Sequence, residues 1–294
     1  MKLKIWFLET RPKFLLLSVV LVLVGTAVCR YEGSFNGLKF FLSLIGLLLA
    51  HTSVNVLNDY FDYQSGIDIE TTPTAFSGGS GILTQGHLKP KSVYLFGMGC
   101  LAVAFPIGIY LTYTSGWQLL PLIFLGGGII YFYTPYLTKW LIGEFVAGLG
   151  LGTLPVLGTY FIQTGSYSIE AIVASLAPGF LTANLLFLNE FPDVEADKKG
   201  GRYNLVIALG QRKASRLYAG LMITTYLCIL GGVAMKLMPF LSLLALASIP
   251  FAFRSIQIAC KHYDNIPKFI PALQSNVITI IGTDALLALG YFLS

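Results

Sequence analysis

The 294 residues are 55% hydrophobic and only 11% charged, against roughly 25% charged in an average soluble domain. So few charges cannot coat a water-facing surface, which excludes a soluble globular domain. The net charge of +5 is explained by where the basic residues fall in the topology, and nucleic-acid binding is not expected.

A membrane crossing needs roughly 20 mostly apolar residues. In chain order nine such stretches stand out: 14–28, 38–57, 93–113, 119–132, 141–162, 169–188, 217–235, 240–253 and 270–293. The first, fourth and eighth are short. The first follows a basic start (Lys2, Lys4, Arg11, Lys13) but lacks a small-x-small cleavage site, so it reads as a retained helix. Cys29, Cys100, Cys228 and Cys260 mostly fall in or beside apolar stretches, without metal-ligand spacing, and no disulfide framework is expected.

Nine crossings would place residues 1–13, 58–92, 133–140, 189–216 and 254–269 on one side of the membrane. Sixteen of the nineteen Lys and Arg lie there; only Arg30, Lys39 and Lys236 lie on the other. Positive residues mark the cytoplasmic side, so the N-terminus and the two long loops, 58–92 and 189–216, are expected there. Residues 1–294 read as a single transmembrane domain.

Acidic residues are scarce and clustered. Eight of the fourteen lie in two short windows: Asp59, Asp62, Asp68 and Glu70 after the second stretch, and Glu190, Asp193, Glu195 and Asp197 after the sixth. Asn58-Asp59-Tyr60-Phe61-Asp62 aligns over Asn189-Glu190-Phe191-Pro192-Asp193. Each is followed by a Gly-Gly-x-x-x-Leu run, at Gly78 and at Gly200. The match points either to a duplicated four-helix unit or to coincidence in a short motif.

Asp59 and Asp62 are three residues apart, and Asp193 and Asp197 four, so each pair is expected to share a helical face. Two carboxylate faces across a cavity suit magnesium. That ion combines one or two carboxylates with water and substrate phosphate, so an organic diphosphate is the natural third party. In the plainer reading these acids cap helices or pair with nearby Lys. A cation-coupled transporter is the rival from another class, and Pro106, Pro155, Pro178 and Pro250 would then kink its helices. The acids cluster at one membrane face rather than at the midplane, which favours a capped active site.

At these residues the chain resembles the UbiA superfamily of intramembrane prenyltransferases. Its Asn-Asp-x-x-Asp signature is matched by Asn58 to Asp62, and its Asp-x-x-x-Asp signature by Asp193-Val194-Glu195-Ala196-Asp197. Many members carry a third Asp four residues after the first signature; here that position is Gly66, with Asp68 two further on. The run from Asn58 to Asp68 is similar to the branch that prenylates 1,4-dihydroxy-2-naphthoate in menaquinone synthesis. Ser77-Gly78-Gly79-Ser80-Gly81-Ile82-Leu83, Gly143-Glu144 and Thr159-Tyr160-Phe161-Ile162-Gln163-Thr164-Gly165 are similar to it too.

The resemblance implies an all-α, polytopic membrane bundle of nine transmembrane helices around a central cavity open to lipid. It implies Mg2+ as cofactor, a polyprenyl diphosphate as donor and an aromatic acceptor, most directly dihydroxynaphthoate with loss of its carboxylate. Other acceptors within the family are 4-hydroxybenzoate, homogentisate, haem, chlorophyllide and a glycerophosphate. The expected metal set is Asn58, Asp59, Asp62, Asp193 and Asp197, with Asp62, Asp193 and Asp197 counted as catalytic. Arg11, Asn58, Lys139, Lys198 and Arg202 are expected on the diphosphate, and the ring of Tyr133 beside an allylic cation. The glycines at 78–81 form either a phosphate cradle or a lid. Asp284, a charge inside the last stretch, is costly enough to invite a function; a neutral side chain bonded to a neighbouring helix is the simpler expectation. His51 and His87 receive no role.

Overall fold

A computed structural model describes residues 2–71, 74 and 77–294, and every regular element among them is helical. The short α1 (Lys2–Glu9) leads into α2 (Pro12–Tyr31), with Pro12 in the first turn, where its missing N–H costs no bond. At the start of α3 (Gly37–Ser65) the Asn36 side chain accepts the Lys39 N–H at 3.0 Å. The helix stops at Gly66, whose φ of +80° favours glycine. A one-turn α4 (Ile67–Glu70) follows, then α5 (Pro90–Ser115). A 3-10 turn, Trp117–Leu119, opens α6 (Leu120–Phe132).

The next crossing is composite: α7 (Gly143–Gly148), a π-helical turn at Leu149–Thr153, and α8 (Leu154–Thr164). After α9 (Ile169–Asn189) come the short α10 (Val194–Lys199) and α11 (Leu205–Leu209). The chain closes with α12 (Gln211–Ala234), a 3-10 segment Phe240–Ser248 running into α13 (Ile249–His262), and α14 (Ile266–Phe292).

Eight of the nine expected crossings are helices long and apolar enough to span a membrane. The exception is the 119–132 stretch. Its helix, Trp117–Phe132, is about 24 Å long at 1.5 Å per residue, short of a hydrocarbon core about 30 Å thick. The 240–253 stretch is longer than its apolar run, because Phe240–Ser248 is wound as 3-10 helix, which rises about 2 Å per residue, and the helix continues to His262.

Packing is uneven. The main apolar core joins α2, α8, α9, α12, α13 and α14, burying Leu21, Val24, Leu181, Phe187, Met222 and Leu287 completely. Helices touch backbone to backbone at glycine. A Cβ on Gly148 would stand 2.6 Å from the Gly179 carbonyl oxygen, and one on Gly152 2.7 Å from that of Pro178. Small residues allow this close van der Waals approach, which drives helix association in lipid. By contrast α6 buries no residue. Asp284 lies fully buried on α14, beside the Tyr226–Ser248–Thr283 hydroxyl chain. Both its carboxyl oxygens lack a hydrogen-bond partner among the described residues, so the expected bond to a neighbouring helix is not made.

Candidate active site

Helices α2, α3, α5, α6, α8 and α9 surround a cavity of about 450 Å³. Away from the polar end its wall is apolar, where Leu111, Leu119 and Ile162 pack with Leu42, Ile107 and Ile123. The opposite end is polar and carries Arg11, Asn58, Asp62, Asp68, Asp193, Asp197 and Arg202. There the last turns of α3 meet the α9–α10 link and the loop before α11. Two segments remote in sequence thus share one space.

The first segment divides between two faces. Asp62 lines the cavity, where Asn58 Nδ2 donates to its Oδ2 at 3.0 Å and to Thr134 Oγ1 at 3.1 Å. Asp59 does not share that face. It points to the α1–α2 link, pairs with Arg11 and accepts the Ser80 N–H at 2.9 Å. Arg11 reaches it from a left-handed backbone, φ 52° and ψ 59°, a conformation uncommon for a non-glycine residue. Ser80 Oγ also donates to Glu9 Oε2 at 2.9 Å, which fastens the glycine run to the N-terminal helix. At Gly79, φ +71°, a Cβ would stand 2.8 Å from Asp68 Oδ2. The loop is therefore pressed onto the acidic face, with Gly78 and Gly79 in the cavity wall.

The second segment is tied to the first through Arg202. Its Nη2 pairs with Asp62, and its Nη1 meets Asp197 Oδ1 at 3.2 Å. Asn204 Nδ2 donates to the other Asp197 oxygen at 2.9 Å, while Asn204 Oδ1 accepts the Ile207 N–H and starts α11. A carboxylate pair bridged by one planar guanidinium explains why burial, which opposes charge on Arg202, is overcome and its pKa rises. Burial, then the charge of Asp197, lifts Asp193 to about 7. Burial and the charge of Asp62 lift Asp68 to about 6, with Arg11 and Arg202 opposing.

The donor set suits a hard divalent cation. It is made of oxygens, and Asp193 Oδ1 and Asn189 Oδ1 are buried without a hydrogen-bond partner among the described residues. The expected five-residue metal set is not gathered round one point, since Arg202 stands between Asp62 and Asp197 and Asp59 faces Arg11. Among the described residues no three His, Cys, Asp or Glu are clustered for an ion by themselves. Magnesium needs fewer, because water and phosphate oxygens fill the remaining positions.

Of the basic residues expected on the diphosphate, Arg11 and Arg202 line the cavity. Lys198 does not. It is exposed and pairs with Glu195 at 2.9 Å, because successive helical residues turn by about 100° and Asp197 takes the inward position. Lys139, in a 3-10 turn at Leu137–Lys139, is also exposed and outside the cavity. Tyr133 lines the wall, and burial raises its hydroxyl pKa. Three wall residues were assigned no role from sequence. His51 bonds Ser18 Oγ at 2.8 Å and ties α2 to α3. Glu190 and Asn189 stand at the end of α9. Glu144, 2% exposed, accepts the Leu205 N–H on its Oε1 at 2.6 Å. The alignment of Glu190 over Asp59 was the one sequence signal for it.

The model of the UbiA prenyltransferase family matches residues 18–277. The chain is 30% identical over 232 residues to the 1,4-dihydroxy-2-naphthoate octaprenyltransferase of Bacillus subtilis, a match covering 76% of this chain and 71% of that protein. Its fold is that of a UbiA homolog from Aeropyrum pernix, TM-score 0.72 at 15% identity over 94% of this chain and 97% of that one. A UbiA homolog from Archaeoglobus fulgidus, bound to GPP and Mg2+, matches with TM-score 0.64 at 16% identity, over 96% and 99%.

Proposed function

The chain belongs to the UbiA prenyltransferase family and is a multi-pass membrane prenyltransferase, and from that premise we propose a specific reaction. It transfers a polyprenyl chain from its diphosphate to 1,4-dihydroxy-2-naphthoate, with loss of the acceptor carboxylate and with Mg2+ as cofactor. The observation that carries this reading is Arg202 joining Asp62 to Asp197 at the polar head of an apolar cavity. A ligand with a polyanionic head and a hydrocarbon tail matches both ends. The Bacillus relative supports the choice of acceptor.

In this reading Asp62, Asp193 and Asp197, with the Asn58 side-chain oxygen, hold magnesium, which supplies positive charge against the departing diphosphate. Arg11 and Arg202 donate to the phosphate oxygens, a role suited to the forked guanidinium. Asp59 acts through Arg11 by fixing its direction. The prenyl tail lies along the apolar wall, and the Tyr133 ring faces the allylic carbon as positive charge develops there. The dry lower cavity keeps water from that carbon. Residues 1–294 work as one unit, with the polar end and both acidic loops facing the cytoplasm, as the sixteen-to-three division of Lys and Arg favours.

Purified protein in detergent, given Mg2+, a polyprenyl diphosphate and carboxyl-labelled dihydroxynaphthoate, is expected to release diphosphate and labelled carbon dioxide together. Release should stop when either substrate is withheld or when divalent ions are chelated. A clear preference for 4-hydroxybenzoate or homogentisate would overturn the choice of acceptor. Turnover without divalent ions would overturn the metal.

A further inference from the structure

One face of α3 carries the cavity wall from its polar end into its apolar part. Asp62, Asn58, Asn55, His51 and Leu47 follow one another there at steps of three or four residues, and all line the cavity. The metal and diphosphate roles leave Asn55 and His51 unused. His51 is 3% exposed and Asn55 9%, yet each keeps one polar atom without a partner. Asn55 Nδ2 donates to the Thr10 carbonyl oxygen at 3.1 Å, which leaves Oδ1 free to accept. His51 Nδ1 meets Ser18 Oγ at 2.8 Å. Ser18 has no other acceptor among the described residues, so its hydroxyl donates to Nδ1 and the ring hydrogen is left on Nε2. No described residue accepts that hydrogen, and none donates to Asn55 Oδ1. Neither atom is among the orphans sealed inside the protein, so in residues this buried the cavity is what each faces.

A donor and an acceptor one helical turn apart are neighbours, and together they are what a hydroxyl needs, since it accepts one bond and donates another. An ionised phosphate offers only acceptors and a prenyl chain offers neither, so the ligand that fits this pair is the aromatic acceptor. Position selects the hydroxyl. At 1.5 Å per residue, Asn55 and His51 stand about 5 and about 10 Å along the helix from Asn58, away from the diphosphate. The attacked ring carbon bears the carboxylate and meets the allylic carbon beside the diphosphate. The 1-hydroxyl is next to that carbon, and the 4-hydroxyl, across the ring, points down the helix. We propose that His51 and Asn55 bind the 4-hydroxyl of the acceptor, His51 Nε2 donating to it and Asn55 Oδ1 accepting its hydrogen. Ser18 is the positioning residue that holds the imidazole. The inference rests on the dihydroxynaphthoate reading above.

The pair supplies orientation and selectivity rather than chemistry. Two bonds to one hydroxyl fix the ring in the cavity with its carboxylate-bearing carbon toward the prenyl donor. A site built to bond a hydroxyl also rejects an analogue that lacks it, because the buried groups of the site are then left unpaired.

The test compares 1,4-dihydroxy-2-naphthoate with 1-hydroxy-2-naphthoate, which lacks only the 4-hydroxyl. Affinity for each is measured by calorimetry on the full chain in detergent, with Mg2+ and inorganic diphosphate present so that no turnover occurs. Wild type is expected to bind the dihydroxy compound about tenfold more tightly. His51→Phe and Asn55→Leu should each lose most of that preference, weakening the dihydroxy compound and leaving the monohydroxy one unchanged. His51→Gln, whose amide can still donate, should recover part of it, and Ser18→Ala should show the same pattern at smaller size. In steady-state kinetics His51→Phe should raise the KM for dihydroxynaphthoate and leave that for the prenyl diphosphate as it was. Equal losses for the two naphthoates in His51→Phe would mean a merely structural role and overturn the proposal. If the variants do not fold, the wild-type ratio decides: tighter binding of the dihydroxy compound supports the proposal, and equal affinity overturns it. The parent reading fails separately, through a wild type that releases no carbon dioxide from carboxyl-labelled dihydroxynaphthoate.

Discussion

In the first acidic segment the two motif carboxylates each meet an arginine, Asp59 facing Arg11 and Asp62 facing Arg202, and Asn58 donates to the second oxygen of Asp62. In the second, Asp197 shares Arg202 and bonds Asn204, while Asp193 keeps an oxygen with no partner and is lifted to about 7. The two motifs look alike in sequence, yet the Asp59–Asp62 pair is compensated and the Asp193–Asp197 pair only half so. Partners supplied by distant chain, more than spacing along a helix, decide which carboxylate carries charge at neutral pH.

The comparison breaks completely if the carboxylates are removed. Asp62→Ala and Asp193→Ala are each expected to abolish turnover in the labelled-acceptor assay while the protein still purifies as a folded, monodisperse species. Retention of a tenth of the wild-type rate, a loss of only about 1.4 kcal/mol of transition-state stabilisation, would argue against direct metal ligation. Next in size is Arg202→Met, which removes the link between the segments. Stranding two buried charges costs about 3–5 kcal/mol, so the melting temperature should drop together with diphosphate affinity; an unchanged melting curve would mean that the bridge carries no weight.

A smaller effect comes from pH. Because burial raises Asp193 in the fold, the stability it lends belongs to the protonated form. That contribution is present at low pH and is lost as pH climbs from the unfolded value through about 7. Metal binding runs the other way, since the proton must leave first. Magnesium affinity, followed by calorimetry, should therefore fall as pH drops below 7 in wild type and fall less steeply in Asp193→Asn, where the raised Asp197 and Asp68 carboxyls still titrate. The smallest effect is at the surface. Lys198→Ala and Lys139→Ala should leave kcat/KM within about twofold, because exposed pairs contribute about 0–1 kcal/mol; a tenfold loss would place either lysine on the substrate.

The order of crossings could be read from the apolar stretches because in a bilayer the backbone must satisfy itself as helix, and a run of apolar residues leaves it little other choice. Length was less secure. The 119–132 stretch has the composition of a span but a helix shorter than the other eight, one that buries no residue, and 240–253 hid a 3-10 segment. The acids of the site were equally visible, since Asp62, Asp193 and Asp197 stand out in a chain with few acids. Their surroundings were not. Nothing in the spacing of Asp59 and Asp62 shows that one turns to Arg11 and the other to Arg202, and nothing in Lys198 distinguishes it from Arg202 as a cation for the cavity.

The sequence by itself thus determined a multi-pass helical bundle, the family, and the two segments that carry its acids, because composition and short-range periodicity act locally. Only the tertiary structure decided which basic groups enter the cavity and which carboxylates they neutralise. Those outcomes depend on side chains from different helices arriving at one place, and the charge each one carries is set there by burial and by its neighbours.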